Sequence, residues 1–256
     1  MKNSFKIKAL IFILIGAFTM PAMAGSKHHK NIKAAVDNPA RAEKDRARDE
    51  HRKPAGVLKF YGIKPGMTIL DMLAGSGYYT EILSGVVGEK GKVIALNNKA
   101  VLGFTKNALE AKVKIAGRMD NVKMVTAEIN DMELAENSLD AIFLVQSYHD
   151  FYYVNEKNGW PRVKVKRTLA EFHKALKKGG VLAVIDHAAP KGSPRESGQT
   201  MHRIDPALVK EEIIAAGFHY EASSDLLENT MDDGTKSPFD KTVRGKTNRF
   251  ILKFVK

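Results

Sequence analysis

Two histidine–aspartate pairs stand where this chain could carry out acid–base chemistry. His149-Asp150 follows the apolar run Ala141 to Val145, and Asp186-His187 directly follows the apolar run Val181 to Ile185. If both runs are parallel strands of one sheet, their carboxyl ends lie at the same edge, so the two pairs are neighbours. Histidine titrates near neutral pH and can act as a general base, which contributes about 10²–10⁴-fold to a rate. We therefore take His149, Asp150 and His187 as candidate catalytic residues.

Two other interpretations of these pairs stay open. A His–Asp hydrogen bond could simply stabilise the rim of the sheet. Alternatively, His202 and Asp205 could join the pairs to form a divalent metal site, since imidazole and carboxylate are both metal ligands. Histidine and aspartate alone have no diagnostic spacing here. We therefore assign no metal ligand from the sequence.

A glycine-containing turn follows the first predicted strand. The segment Asp71-Met-Leu-Ala-Gly75-Ser-Gly77-Tyr-Tyr-Thr80 ends a strand and opens a helix, and its glycines would let a ligand approach the backbone closely. It has Thr80 where a dinucleotide-binding turn has its third glycine, and no Gly-Lys-Ser/Thr follows to make a P-loop. Asp71 is predicted to contact a ligand there, with capping of the following helix as the alternative.

The order of motifs resembles that of the class I S-adenosylmethionine-dependent methyltransferases from about Lys53 to the C-terminus. Four segments carry the resemblance: Ile69 to Gly77, Gly91 to Asn97, Ala127 to Asp140, and Glu171 to Gly180. The resemblance implies S-adenosylmethionine as cofactor, with Asp71, Gly75 and Gly77 around its methionine part. It also implies that Asn97 contacts the ribose and that Glu128 recognises the adenine amino group.

A narrower resemblance is to a bacterial group of predicted exported methyltransferases. It is carried by Arg52-Lys-Pro54, Gly77-Tyr-Tyr-Thr80, Tyr148-His149-Asp150, Asp186-His187, His202-Arg-Ile-Asp205 and Arg244 to Arg249. Two positions depart from the wider family's pattern. Leu73 replaces the first glycine, and Asn97 stands where an acid usually accepts the ribose hydroxyls. An amide makes neutral hydrogen bonds, roughly half as strong as those of a carboxylate.

The pattern beyond Pro54 alternates strands with helices, which predicts one doubly wound, Rossmann-like α/β domain over residues 54–256. The predicted strands are Met67 to Met72, Lys92 to Leu96, Val122 to Ala127, Ala141 to Val145, Val181 to Ile185, His219 to Ser223 and Phe250 to Val255. The longer predicted helices are Tyr78 to Val87, Val101 to Arg118, Val163 to Leu176 and Pro206 to Ala216. The sheet should be seven-stranded and mostly parallel, with the last two strands as an antiparallel C-terminal edge pair. The long loops Pro190 to Thr200 and Asn229 to Asn248 are candidate lids.

The N-terminus has the pattern of a secretory signal peptide. Three lysines precede the uncharged run Ala9 to Met20, and Ala22-Met23-Ala24 offers small residues for cleavage after Ala24. We therefore expect residues 1–24 to be removed and the protein to be periplasmic or secreted, without a membrane span after cleavage. Residues 25–53 are expected to form a basic leader and a charged, solvated helix.

Composition excludes several classes of site and partner. The 256 residues include 41 Lys and Arg against 29 Asp and Glu, and no cysteine, which rules out disulfides, thiol nucleophiles and cysteine-ligated metals. Basic residues do not alternate with aromatic ones as in nucleic-acid binders, so we expect a small-molecule substrate and no nucleic-acid partner. The oligomeric state is not predicted.

Two functional hypotheses follow from the sequence. The first is an exported methyltransferase that acts on a small molecule or an envelope component. The second is a methyltransferase fold that binds a nucleoside-like or anionic ligand without methyl transfer, because S-adenosylmethionine is made in the cytoplasm. Asp71, Gly75, Gly77 and Glu128 favour the first hypothesis, whereas Leu73 and Asn97 favour the second.

Overall fold

One mixed sheet organises the chain. A computed structural model describes residues 30–256. Its strands are β1 (Thr68–Met72), β2 (Lys92–Asn97), β3 (Val122–Thr126), β4 (Leu139–Val145), β5 (Leu176–His187), β6 (His219–Ser224) and β7 (Arg249–Val255). Within the described range these seven strands lie in the order β3-β2-β1-β4-β5-β7-β6. Strands β1 to β5 pair in parallel, and β7 pairs antiparallel with both β5 and β6. The predicted fold class, including the antiparallel edge pair, is confirmed.

Helices cover both faces of this sheet. They are α1 (residues 30–36), α2 (Glu43–Arg46), α3 (Asp49–Arg52), α4 (Pro54–Tyr61), α5 (Tyr78–Val87), α6 (Lys99–Thr105), α7 (Ala108–Val113), α8 (Val165–Ala175), α9 (Ser197–Met201) and α10 (Pro206–Ala215). Three 3₁₀ turns add Ile129–Asp131, His149–Tyr152 and Glu156–Asn158. One core contains residues of α1, α4 and α5, and the other contains residues of α8 and α10.

The central strands are buried on both faces because their side chains alternate between the two cores. In β4, Ala141 and Phe143 belong to the core beneath α4 and α5, whereas Ile142 and Leu144 belong to the core beneath α8 and α10. All four side chains are fully buried. A parallel strand covered on both sides therefore has a continuous apolar sequence, and such strands fix the edge where their carboxyl ends meet.

Two of the predicted helices differ in their bounds. The helix predicted from Val101 to Arg118 is wrong as one element: it is divided into α6 and α7, because Lys106 and Asn107 adopt left-handed backbone conformations with φ of 50° and 54°. Asparagine tolerates that conformation, which ends a helix. Helix α8 ends at Ala175, before the glycine pair 179–180 that was expected to stop it, and β5 begins at once.

The charged run from Arg41 to Lys53 is helical but only partly solvated. It forms the two short helices α2 and α3, and it packs against the rest of the domain. Arg41 is 2% exposed and makes a two-point ion pair with Asp49, at 2.7 and 2.8 Å. Asp45 is 3% exposed and accepts a hydrogen bond of 2.6 Å from Lys112. The prediction of a solvated face is therefore wrong for Arg41 and Asp45, since their charges have partners on neighbouring elements, whereas Glu43, Lys44 and Arg46 are exposed as expected.

The two candidate lid loops are tied to the domain. The first contains most of α9, so it is not structureless. The second is held by Arg203, a fully buried side chain that makes a two-point ion pair with Asp232 at 3.0 and 2.8 Å. Arg203 also donates to the carbonyl oxygens of Lys236 and Ala188, at 2.6 and 2.9 Å. This contact fixes the loop beside the carboxyl end of β5.

The predicted signal peptide, residues 1–24, lies outside the described residues, as do residues 25–29. Across residues 30–256, the helices lack the combination of length and apolar character that crossing a membrane requires.

Candidate functional site

The two histidine–aspartate pairs meet at the carboxyl-end rim of the sheet, as predicted. His149 begins the 3₁₀ turn after β4, and Asp186 and His187 end β5. The Asp186 carboxylate is fully buried and accepts from His149 Nδ1 and from the His149 backbone N–H, both at 2.8 Å. It also accepts from the backbone N–H of His187 at 2.7 Å. Asp186 therefore fixes the orientation of the His149 ring.

The electrostatic surroundings give the two histidines opposite protonation. Burial alone would lower the pKa of His149, but the carboxylates of Asp186 and Asp150 outweigh it and raise that pKa to about 9. Burial, together with the charges of His149 and Arg249, lowers the pKa of His187 well below its ordinary value. His187 Nδ1 is hydrogen-bonded to Thr247 Oγ1 at 2.7 Å. The two carboxylates therefore favour the protonated form of His149, and its role as the general base stays a prediction.

A third histidine joins this rim. His149 Nε2 lies 3.3 Å from Asp150 Oδ1, and His202 Nδ1 lies 3.7 Å from the same oxygen. Asp205 does not take part: it caps α10 by accepting from Ala207 N at 2.8 Å, and it accepts from Gly192 N at 2.6 Å. The six-residue metal set considered from the sequence is thus wrong at Asp205, because that side chain is committed to the helix N-terminus.

The rim opens into a cavity of about 1070 Å³. Its polar wall includes His149, Asp150, His187 and His202. Aromatic side chains form a second wall: Phe104, Tyr153, Trp160 and Phe239. The cavity is large enough for a small organic ligand, which such aromatic-lined clefts typically bury. The aromatic residues were not selected from the sequence, because single aromatics in loops are as common in packing as in binding sites.

The charges in the cavity are strongly unbalanced. Among the described residues, its walls contain five basic side chains and one acidic side chain, Asp150. The basic residues are Arg48, Arg52, Lys99, Arg244 and Arg249. Within residues 30–256, Arg52 and Arg249 have no carboxylate in ion-pair range: Arg52 donates to Gln146 Oε1 at 2.7 Å, and Arg249 donates to backbone carbonyls. Burial and repulsion from Arg48 lower the pKa of Arg52 to about 10, so it remains charged at neutral pH.

The residues predicted to surround a cofactor lie at the neighbouring ends of β1, β2 and β3. Asp71 is buried and accepts a hydrogen bond of 2.5 Å from Thr80 Oγ1. Burial raises the pKa of Asp71 to about 6, although the bonds from Thr80 oppose this rise. The contact with Thr80 ties the end of β1 to the first turn of α5. The structure thus shows the interaction expected of a residue that stabilises the turn, and ligand contact by Asp71 stays a prediction.

Gly75 and Gly77 have different structural roles. A Cβ at Gly75 would meet only the Leu73 carbonyl oxygen, at 4.0 Å, so the space above it is open. A Cβ at Gly77 would lie 2.4 Å from Leu109 Cδ1, and its φ is +77°. Gly77 is therefore favoured by its backbone conformation and lies against Leu109, whereas Gly75 presents free space to a ligand. Contact of Gly77 with the cofactor stays a prediction. Leu73, at the position where the sequence resemblance implies a glycine, also has a positive φ of 53°.

Asn97 is held by the same turn. Its Oδ1 accepts from Gly75 N at 2.9 Å, and its Nδ2 donates to Gly75 O at 3.1 Å. Both ends of the amide thus bind the backbone of the glycine turn. The predicted contact with ribose hydroxyls remains a prediction that requires sharing or exchanging one of these bonds.

Glu128 fits a ligand with a hydrogen-bond donor. Its Oε1 accepts from Lys99 N at 3.3 Å. Its Oε2 is buried and has no hydrogen-bond partner anywhere in the described part of the chain. A buried carboxylate oxygen without a donor is unfavourable, so a bound amino group would relieve it. The residues present therefore fit the adenine end of S-adenosylmethionine, the cofactor that the sequence resemblance implies.

Known proteins are similar to this chain in sequence. A profile described as a methyltransferase domain matches residues 63–236. Demethylmenaquinone methyltransferase of Staphylococcus aureus is 27% identical over 137 residues, which are 52% of this chain and 48% of that protein. The chain thus spans about half the length of the curated relatives it matches.

Solved structures agree at the level of the fold. A SAM-dependent methyltransferase from Aquifex aeolicus is 26% identical, with a TM-score of 0.57 and coverage of 89% of this chain and 98% of its own. Fibrillarin from Aeropyrum pernix, solved with natively bound S-adenosyl-L-methionine, is 14% identical and has a TM-score of 0.53. The match covers 81% of this chain and 76% of the fibrillarin chain, and it shows a shared fold alone.

Proposed function

Because this chain belongs to the methyltransferase-domain family, we propose that it transfers the methyl group of S-adenosylmethionine to a small anionic acceptor. Two adjoining parts of the rim support the proposal. The ends of β1, β2 and β3 would hold the cofactor, and the cavity at the ends of β4 and β5 would hold the acceptor.

The cofactor part rests on the open space at Gly75 and the unpartnered oxygen of Glu128. When bound, S-adenosylmethionine supplies an electrophilic methyl carbon on a sulfonium. In this chain, Glu128 Oε2 would accept a hydrogen bond from the adenine amino group. The backbone of Gly75 would lie against the methionine part of the cofactor. Asn97 holds the turn in shape through its two bonds to Gly75.

The acceptor part rests on the excess of positive charge in the cavity, which is the observation that carries the proposal. Arg249 is buried and Arg52 is half-buried, and neither pairs with a carboxylate among residues 30–256. Unpaired cations in a partly desolvated cavity favour a ligand that brings negative charge. The aromatic wall adds a preference for a planar apolar body.

An anionic acceptor also reduces the need for a base. A phenolate or carboxylate already has its lone pair free, and nearby guanidinium groups stabilise that ionised form. The walls would then contribute by orienting the nucleophile and excluding water, rather than by removing a proton. This division of roles requires no general base at His149.

The curated relative supports a small acceptor, since the name demethylmenaquinone methyltransferase specifies a small-molecule substrate for that protein. An envelope component of the same chemistry is the other acceptor class that we retain.

Binding without methyl transfer is the second candidate function. The observation that favours it is Asn97, whose amide is committed to the backbone of Gly75 instead of being free for a ribose.

Turnover assays test the proposal. We expect the purified protein to form S-adenosylhomocysteine with para-hydroxybenzoate or related aromatic anions more readily than with their neutral amides. Arg52→Gln and Arg249→Gln should raise KM for the anion by about tenfold or more, consistent with losing a charged hydrogen bond. Arg46→Gln, an exposed arginine of the same segment, is the matched control.

The outcomes separate the two candidate functions. If the protein binds S-adenosylmethionine but forms no product with any acceptor, the second candidate function, binding without methyl transfer, is favoured. Equal rates for anions and neutral amides would contradict the anionic substrate class. Absence of S-adenosylmethionine binding at millimolar concentration would overturn methyl transfer altogether.

A further inference from the structure

We propose that His149, Asp150 and His202 form a binding site for one divalent first-row transition metal ion, with zinc as the best match. One potential ligand atom from each residue lies within 4.8 Å of the other two. Two imidazoles and one carboxylate make a ligand set that such metals accept and that magnesium or calcium does not prefer. The proposal does not depend on methyl transfer.

Two of the three separations between the ligand atoms, those that involve Asp150, are close to those of a loaded site. Zinc bonds of about 2.0–2.1 Å in tetrahedral geometry place neighbouring ligand atoms about 3.3 Å apart. His149 Nε2 lies 3.3 Å from Asp150 Oδ1, and His202 Nδ1 lies 3.7 Å from it. Small side-chain rotations would therefore bring the three ligand atoms around one ion.

The Asp186 carboxylate, which is not itself a proposed metal ligand, orients the His149 ring. Metal-binding histidines usually donate their second ring N–H to a carboxylate or carbonyl group. Here His149 Nδ1 is bonded to Asp186, which leaves Nε2 directed to Asp150. Asp186 is fully buried and is itself held by two backbone N–H groups, of His149 and His187. The ring is thus fixed before any ion arrives.

The second histidine is also held in place. His202 has a left-handed backbone with φ of 51°, a conformation that costs free energy in a non-glycine residue. Its ring packs against Tyr153 and Phe239, at centroid distances of 4.8 and 5.1 Å. The neighbouring Arg203 is fully buried and anchored to Asp232. The fold therefore presents His202 to the other two ligands from a separate loop.

Three protein ligands leave one or more coordination positions open, as in catalytic rather than structural metal sites. All three residues line the large cavity, so an open position would face a ligand bound there. An oxygen of a small anion is the group that would complete the coordination. The metal would then act beside the arginines in holding that anion.

Metal analysis of the full-length protein, purified without a histidine tag, tests the site. We expect about one zinc, or another first-row divalent ion, per chain. After chelation, titration with zinc should restore one site, and Co²⁺ should give the visible absorption of a four- or five-coordinate ion. His202→Ala and Asp150→Asn should weaken zinc binding by more than the roughly 10–100-fold typical of losing an outer-shell partner. Asp186→Asn should fall within that 10–100-fold range.

Controls distinguish this site from adventitious binding. His28 and His29 lie in the leader and could bind metal on their own, so a His28→Ala/His29→Ala variant must retain the ion. His219→Ala, which removes an exposed histidine of β6, must also retain it. Thermal melting of each variant excludes unfolding as the cause of metal loss.

The proposal is overturned if the stripped protein shows no zinc site, or if a folded His202→Ala variant binds zinc as tightly as the wild type. In either case the three side chains are only close neighbours at the rim.

Discussion

Asp186 holds His149 by two atoms at once, because its carboxylate accepts from both the ring Nδ1 and the backbone N–H of that residue, each at 2.8 Å. The contact joins the end of β5 to the turn after β4, across 37 positions of sequence. Through this contact the sheet fixes the position of a histidine that lines the candidate acceptor cavity.

Replacing Asp186 with asparagine should lower the free energy of unfolding by about 3–5 kcal/mol, as is typical when one partner of a buried ionic contact is lost. Chemical denaturation measures this change. The exposed Asp131→Asn variant is the control and should remain within about 0.5 kcal/mol of the wild type. Equal stability of the Asp186 variant would show that the pair does not hold the rim.

Gly75→Ala should weaken binding of S-adenosylhomocysteine by at least about tenfold, because the new methyl group occupies the open space above the turn. The alanine also adopts a positive φ, at a cost of about 1–2 kcal/mol. Gly66→Ala has the same backbone cost and open surroundings, but it lies in the loop before β1. Calorimetric titration of both variants separates ligand contact from strain, and similar losses in both would place the cofactor elsewhere. Gly77→Val is less suitable, since it would also disturb Leu109.

The loss of a proton from Asp71 should lower the free energy of unfolding as pH rises from about 4 to 6. Its pKa is raised to about 6 in the folded protein, above the ordinary 3.8, so the folded state binds the proton more tightly than the unfolded state. The favourable contribution is present below pH 4 and is lost as pH rises through 6, by roughly 3 kcal/mol in total. Denaturation curves at several pH values should show the Asp71→Asn variant gaining stability relative to the wild type across this window. Parallel pH profiles would contradict the raised pKa.

Arg203→Met should lower the free energy of unfolding by about 3–5 kcal/mol, because the Asp232 carboxylate is then buried without its partner. Adding Asp232→Asn should recover part of the loss, since the unpaired charge is removed. Arg162→Met, at an exposed position, is the control. Denaturation of the single and double variants measures the coupling energy between Arg203 and Asp232. Strictly additive losses of stability would show that the two residues are not coupled.

Export remains a prediction from the first 24 residues. Intact-mass analysis of the envelope fraction should find a chain that begins at Gly25. Cleavage removes three lysines and no acidic residue, so the mature protein remains basic. A full-length protein recovered only from the cytosol would contradict export, and it would also remove the question of how the cofactor reaches an exported enzyme.

The sequence by itself was sufficient for the fold class, because the central strands are buried on both sides. The resulting apolar runs, such as Ala141 to Val145 and Val181 to Ile185, stand out in the sequence, and each is followed by polar residues at the same edge. The meeting of His149 with Asp186 follows from that parallel order. The break between α6 and α7 was missed, since a helical apolar pattern continues across Lys106 and Asn107 while their backbone does not.

Only the tertiary structure decided which charged residues belong to the site. The sequence grouped Asp205 with His202, but the backbone turns Asp205 toward α10 and brings Asp150 to within 3.7 Å of His202. Likewise, Arg52 meets Gln146 from 94 positions away, and the charged run buries Arg41 and Asp45 while its other charges stay exposed or partly exposed. Strand burial is set by the local apolar pattern, and a sequence records that pattern directly. The partner of a charged side chain is set by the direction of the backbone and by neighbours distant in sequence, which emerge only when the chain has folded.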